Sequence, residues 1–549
     1  MAEIIINDCK YAWHFEELNN TKIYVKGAFR YKDGYFIGNN ACKQLAELFS
    51  FLSKGSSTYS PTNKDIKEIV LELYGQFSFI IDAKDFVLAS VDKVQSYPIF
   101  YCNKDGNIYL ANSAVKLQVE AGLDEKDEVS FLEFEMAGYV TGSNTLFKDL
   151  FQLQAGESLI FDKNKSSLKV IRFFSYFTKN LVFVSDEDLL DELHKITIKI
   201  FSDMVETLEG MPVWIPLSGG LDSRLVLAML YKLKYDNITT FTYGIPGLWE
   251  IEHAKKIAEC LKVKWNYIPY VPKRIKQLFH TNERKNYFRF ASGLRSVPFL
   301  SDFYALWQMR KTGVIPDNAV IINGQSGDYL TGGHIPERIR EVDENMLTVD
   351  MLIKSIIGKH FSLWINLKTE ENLSIIAKKI LNSLQLRPNS KLSKNDFAQY
   401  YELHEWQERQ TKYVVNGQRV YDWLGYDWRL PLWNDELILF WMKIDWRMKL
   451  NQGLFKKYLE TYNYAGLFNI DTPEQTAFRP VHVKISGKLF SIAGRITTKD
   501  KEYFIRKYIR YFTSGAPFYP QRNYFEYLKD SQWHRNSVSY LAKNLIESL

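Results

Sequence analysis

Residues 213–223 read Val213-Trp214-Ile215-Pro216-Leu217-Ser218-Gly219-Gly220-Leu221-Asp222-Ser223. An apolar run ends in Ser-Gly-Gly and passes directly into a helix-forming stretch, which is the signature of a strand, a tight turn and a helix start. The two glycines let backbone amides approach an anion, and the helix N-terminus adds the positive end of its dipole. Ser218 and Ser223 offer hydroxyl donors to phosphate oxygens. Asp222 would repel phosphate unless a cation stood between them, so its presence implies Mg2+. The lysine-containing GxxxxGK(S/T) loop is a different device, and it is not present here.

The surrounding chain extends this unit in both directions. Ser185-Asp186-Glu187-Asp188 is an N-cap with acids in the first turn. It opens a helix predicted to run to about Glu209, with Leu189, Leu190, Leu193, Ile196, Ile200 and Phe201 on one face. Beyond the turn the pattern predicts a helix at 223–234, a strand at 238–243, a helix at 250–261 and a strand at 319–322. Strand alternating with helix predicts a doubly wound parallel sheet, here with many added helices. Residues 1–175 are β-rich instead, with apolar stretches at 23–25, 77–81 and 86–89 separated by Lys-Asp-Gly and Gly-Asn-Asn turns. Residues 41–53 and 129–137 have helical spacing instead, and 163–167 reads as a hairpin turn. The expected architecture is a β-rich sandwich over 1–175 followed by an α/β domain over 185–549.

Composition narrows the function classes. Of 549 residues, 70 are Lys or Arg and 64 Asp or Glu, a net charge of +6 with both signs spread along the chain. A protein that coats nucleic acid would show a clustered basic face. The hydrophobic share of 46% and charged share of 24% are those of a soluble globular chain. Basicity gathers only at 476–549, where thirteen cations face five acids and leave −2 for the rest. Tyr503, Phe504, Tyr508, Tyr511 and Phe512 interleave with those cations, a pattern that suits weak contact with a membrane or a polyanion, or a helical cover over the domain. Cys9, Cys42, Cys102 and Cys260 form neither a CxxC pair nor a zinc spacing, and no HExxH occurs. The N-terminus has no signal-peptide pattern and no apolar run approaches a membrane span, so a cytoplasmic location is expected.

With the turn at 213–223 in view, the sequence resembles the PP-loop ATP pyrophosphatases, and among them the asparagine synthetase family. Further stretches carry the resemblance in order. Thr240-Phe241-Thr242-Tyr243-Gly244 resembles the family's second strand. Asn323-Gly324-Gln325-Ser326-Gly327-Asp328-Tyr329-Leu330-Thr331-Gly332-Gly333 is similar to its Gly-rich segment. Asp427-Trp428-Arg429-Leu430-Pro431-Leu432-Trp433 and Gly453-Leu454-Phe455-Lys456-Lys457 complete the set. The resemblance implies an ATP-dependent ligase that adenylates a substrate carboxylate, releases pyrophosphate and passes the acyl group to a nitrogen nucleophile. On that reading Leu217, Tyr243, Asn323 and Gly324 hold the adenosine, and Ser218, Gly219, Gly220 and Ser223 hold pyrophosphate. Asp222 and Asp328 bind Mg2+, and Lys456 faces the reacting phosphates or the acyl carbon.

Residues 64–162 resemble the family's glutaminase domain, through Gly75-Gln76-Phe77-Ser78-Phe79, 91–101, Gly138-Tyr139-Val140, Thr145-Leu146-Phe147 and Ala155-Gly156-Glu157. Two departures change the expectation. Ala2 stands where the family carries its N-terminal cysteine, Cys9 has no free amine beside it to act as base, and Tyr74 replaces an expected Asp. A degenerate glutaminase-like scaffold is therefore expected. In the second half, Gln325 replaces an acid, and a neutral amide cannot serve as general base. The nitrogen donor is left open between ammonia, a separate glutaminase and a substrate amine. The last would follow β-lactam synthetases or, with a precursor peptide, lasso-peptide cyclases. A non-catalytic nucleotide-binding relative is the other alternative, and a homodimer is an allowed assembly.

Overall fold

The computed structural model describes residues 2–6, 12–52, 62–182, 184–343, 347–470, 511, 521–530 and 533–549. Around the opening turn lies a five-stranded sheet, in the spatial order Lys264–Pro269, Ile238–Gly244, Val213–Pro216, Val320–Ile322, Asp427–Arg429. By chain order that is third, second, first, fourth, fifth, and every pairing is parallel. The order reverses between Val213–Pro216 and Val320–Ile322. At such a reversal the connecting helices leave to opposite faces, and a crevice opens beyond the carboxyl ends of the two strands.

Sequence reading finds the three central strands and misses the two edges. Central strands of a parallel sheet are covered on both faces and are nearly continuous apolar runs, such as Val320-Ile321-Ile322. The edges carry Lys264, Asn266, Asp427 and Arg429, which dilute the signal. Helix starts are set by caps. Ser185 accepts from the Asp188 amide at 3.2 Å to open Asp186–Glu206, which buries Leu189, Leu190, Leu193, Ile200 and Phe201. The helix after the turn is Leu221–Lys232, with Gly220 as its N-cap, so Asp222 and Ser223 lie in its first turn.

Up to Arg172 the chain forms two further sheets. One runs Ser167–Arg172, Glu157–Asp162, Phe86–Val91, Tyr74–Asp82, Thr21–Tyr31, His14–Leu18, with Gly34–Ile37 also paired to Thr21–Tyr31. The other runs Ala2–Ile5, Asn107–Ala111, Phe100–Lys104, Phe151–Gln152. Ile80, Val87, Ala89, Leu159 and Phe161 of the first sheet share one apolar cluster with Tyr101, Ile108 and Leu110 of the second. The hairpin turn at 163–167 joins Glu157–Asp162 to Ser167–Arg172.

These sheets are fastened to the α/β part by buried polar contacts. Lys93 and Asp435 form an ion pair at 2.6 Å, their side chains 3% and 5% exposed. Trp406 Nε1 donates to the Lys93 carbonyl at 3.0 Å, and Arg419 Nη2 to that of Ser96 at 2.5 Å. Arg295 Nη1 donates to the amide oxygens of Gln95 and Gln152, each at 2.5 Å. Among the described residues no helix is long and apolar enough to cross a membrane. Cys9 lies outside the described residues, as does most of the basic, aromatic stretch at 476–549.

Candidate active site

Beyond the carboxyl ends of Val213–Pro216 and Val320–Ile322 lies a cavity of about 340 Å3. Ser218, Asp222 and Ser223 line it from the first turn, and Asn323, Gly324, Gln325, Ser326 and Asp328 from the turn after Val320–Ile322. The two turns touch. The Asp328 amide donates to Asp222 Oδ2 at 3.0 Å, and a β-carbon on Gly324 would lie 2.8 Å from the Asp222 carbonyl carbon and the Ser223 nitrogen. Only a glycine lets the backbones approach this closely. Within the first turn, the Ser218 amide and hydroxyl both meet Ser223 Oγ at 3.1 Å, and the Gly220 amide donates to Ser218 Oγ at 3.2 Å. These are the donors an anion would engage at the start of Leu221–Lys232.

Two carboxylates converge on this point. Burial and the neighbouring Asp328 push the Asp222 carboxyl up to about 7. For Asp328 burial acts in the same direction, but the hydrogen bond from His334 and its charge outweigh it and hold the group below its ordinary value. His334 bridges Asp328 Oδ2 at 3.1 Å and Glu405 Oε2 at 2.5 Å. Burial alone would lower the imidazole, yet the hydrogen bonds to Asp328 and Glu405 bring it to about 8. Glu405 is itself fully buried and also meets Lys359 at 2.8 Å and His360 at 2.9 Å.

One wall of the cavity is fixed by a chain of hydroxyls. Asn323 Nδ2 donates to Tyr421 Oη at 2.9 Å, Tyr421 donates to Asp302 Oδ2 at 2.7 Å, and Tyr243 donates to Asp302 Oδ1. The opposite wall comes from the π-helical segment Glu405–Val414, whose wider turn sets residues five apart on one face. It presents Arg409, Gln410, Tyr413 and Val414 to the cavity, with Phe299 against Tyr413 at 5.3 Å between ring centres. Among the described residues no ion-pair partner stands beside the Arg409 guanidinium, which lies 5.9 Å from the Tyr413 ring centre. A larger cleft of about 680 Å3 lies elsewhere, between Thr21–Tyr31 and Asp427–Arg429. Its Arg30, Lys199 and Arg429 are already paired with Asp203, Glu436 and Asp427, and it lacks the paired glycine turns.

Residues 201–464 match the asparagine synthase family model. That stretch of the chain is therefore similar to the asparagine synthase family. A Methanocaldococcus jannaschii protein named "Putative asparagine synthetase (glutamine-hydrolyzing) 2" is 24% identical over 282 residues, 49% of this chain and 51% of its own length. The chain thus spans about half of that relative. Among solved structures, the NH3-dependent NAD synthetase of Campylobacter jejuni is 12% identical, covering 38% of this chain and all of its own, at a TM-score of 0.21. The glutamine phosphoribosylpyrophosphate amidotransferase of B. subtilis is 12% identical, covering 58% of this chain and 59% of its own, at a TM-score of 0.19.

Within residues 201–464 the cavity gathers Ser218, Asp222, Ser223, Tyr243, Asn323, Gly324 and Asp328. Gly219 and Gly220 shape the turn without lining the cavity. Leu217 is 2% exposed and holds the strand end, its carbonyl accepting from Thr242 Oγ1 at 2.8 Å. Lys456 is exposed on the helix Gly453–Tyr462, and it is not among the lining residues. Gln325 Oε1 accepts from Gln418 Nε2 at 2.8 Å, which fixes a neutral amide at that position. Asp302, Tyr421, His334, Arg409, Gln410 and Tyr413 belong to the site but were not read from the sequence. Of these only His334, directly after Gly332-Gly333, stood beside a motif.

Proposed function

We propose that this chain is an ATP-dependent amide-forming ligase that adenylates a substrate carboxylate and transfers the acyl group to a nitrogen nucleophile. One observation carries the reading: the two glycine-containing turns meet at the strand-order reversal, with Asp222, Asp328 and the Ser218–Ser223 pair around one cavity. Tyr243, Asn323 and Gly324 would take the adenosine, the first two held rigid through Asp302 and Tyr421. Ser218, Ser223 and the Gly220 amide would take the β- and γ-phosphates that leave as pyrophosphate. Asp222 and Asp328 fit Mg2+: both are hard oxygen donors, and their mutual repulsion would be relieved by a divalent cation. Among the described residues no cage of three or more metal-ligating side chains occurs, as suits an ion that completes its shell with phosphate and water. Bound there, Mg2+ would neutralise charge on the phosphates.

The acyl end falls to Arg409, Gln410, Tyr413 and Phe299, opposite the phosphate turn. With Gln325 neutral, the nitrogen nucleophile must arrive unprotonated or lose its proton to another group. Residues 1–175, with their two sheets about a shared core, are read as a glutaminase-like sandwich that serves as scaffold, and 185–549 as the ligase domain. ATP, Mg2+, a carboxylic acid and ammonia or an amine are the partners of this reaction.

The deciding experiment is pyrophosphate release from ATP with a panel of carboxylic acids and hydroxylamine as nitrogen nucleophile. Acid-dependent release that vanishes in Asp222→Ala is expected; release surviving that change would refute the site. Lys456→Ala checks the remaining expectation: loss of turnover with ATP binding retained places Lys456 at the reacting phosphates, and unchanged turnover removes it.

A further inference from the structure

Arg224 lies in the first turns of Leu221–Lys232 and is 3% exposed. Among the described residues its guanidinium meets no carboxylate. Nη2 donates to the Gly219 carbonyl at 3.1 Å and contacts His253 Nε2 at 2.6 Å. Nη1 donates to the Leu467 carbonyl at 3.3 Å, and the Phe468 ring centre is 5.8 Å away. A guanidinium can only donate, so His253 Nε2 accepts and the ring is neutral, with its proton on Nδ1. A cation therefore sits buried behind the anion-binding turn with neutral partners only, an arrangement that is costly unless it serves the turn.

The peptide plane shows how it serves. In the trans 219–220 peptide the carbonyl and the amide point in opposite directions. Arg224 draws the Gly219 carbonyl to the back of the turn, toward His253 on the helix Trp249–Cys260. The Gly220 amide consequently faces Ser218 Oγ, and Ser218 lines the cavity. Without that tether the carbonyl is released to rotate inward, where its partial negative charge would repel phosphate. Gly219 leaves no room for another solution, since a β-carbon there would lie 2.7 Å from the Trp249 ring.

We propose that Arg224 is a positioning residue for the phosphate turn, holding the 219–220 peptide with its amide toward the anion and adding positive potential behind it. The inference rests on reading that turn as the pyrophosphate site. It is tested by calorimetric titration of the full chain with Mg2+-pyrophosphate and, separately, with adenosine. Arg224→Met is expected to weaken pyrophosphate binding about tenfold, the scale of one lost charge-assisted hydrogen bond, with adenosine affinity unchanged. Arg224→Lys, which keeps the charge but not the planar fork, recovers part of the loss. Unchanged pyrophosphate affinity, or equal loss for both ligands, overturns the proposal. Should the Met variant fail to fold, Arg224→Lys and Arg224→Gln are read by the same comparison. A wild-type chain that binds no pyrophosphate would instead sink the functional reading itself.

Discussion

Gly324 sits where the two turns of the site press together, with no space for even a methyl group. Gly324→Ala is expected to abolish ATP binding while shifting the melting temperature only slightly, because the clash is confined to two turns. Nucleotide titration beside a thermal melt checks both halves of that expectation. Asp302 has a different role: it accepts from Tyr243 and Tyr421 and so fixes the wall proposed to take the adenosine. Removing it strands two buried hydroxyls, at about 1–3 kcal/mol for each. Asp302→Ala should therefore lower stability and raise KM for ATP more than it lowers kcat. The glycines, serines and aspartates of the two turns were legible in the sequence, since turn chemistry is local. Asp302, Tyr421 and Arg409 were not, because their roles come from partners far away in the chain: 59 residues separate Tyr243 from Asp302, and 119 separate Asp302 from Tyr421.

The π-helical segment Glu405–Val414 shows both what an element contributes and why it is hard to foresee. A period of 3.6 residues does not describe it, so its cavity-facing set has no recognisable spacing in the sequence. It is held by a fully buried pair, Glu408 and Lys412, with the Gly142 amide donating to Glu408 at 2.9 Å. Burial opposes ionisation of Glu408, but Lys412, His404 and that amide outweigh it and hold the carboxyl at about 2. Its folded value thus lies below its unfolded value near 4.5, so the stabilisation is complete above that pH and is lost as pH falls toward 2. Glu408→Gln leaves Lys412 buried without a counter-charge and should cost about 3–5 kcal/mol at neutral pH. Denaturant melts across that acid range should show the wild type losing this increment and the variant not.

At the scale of the whole molecule, the antiparallel sheets and the parallel sheet are joined through Lys93–Asp435 and the Arg295–Gln95–Gln152 contacts. Both sets are buried, so neither half keeps its polar groups satisfied without the other. Calorimetry should accordingly record one coincident transition for the two halves, and Asp435→Ala should lower it by about 3–5 kcal/mol by stranding Lys93. Two separated transitions would show that the halves melt independently. The central strands of the parallel sheet and the helices beside them were readable from periodicity, whereas this junction was not, because it consists of polar side chains that look solvated in a linear sequence. The same junction has a practical meaning for anyone preparing a minimal fragment of this chain. The stretch of recognisable family similarity, excised on its own, would carry a naked Asp435, an Arg295 stripped of Gln95 and Gln152, and a bare Trp406 indole on its surface. Such a fragment should precipitate or scavenge foreign protein, so the smallest workable piece of this chain is set by those three side chains rather than by the ends of the similarity.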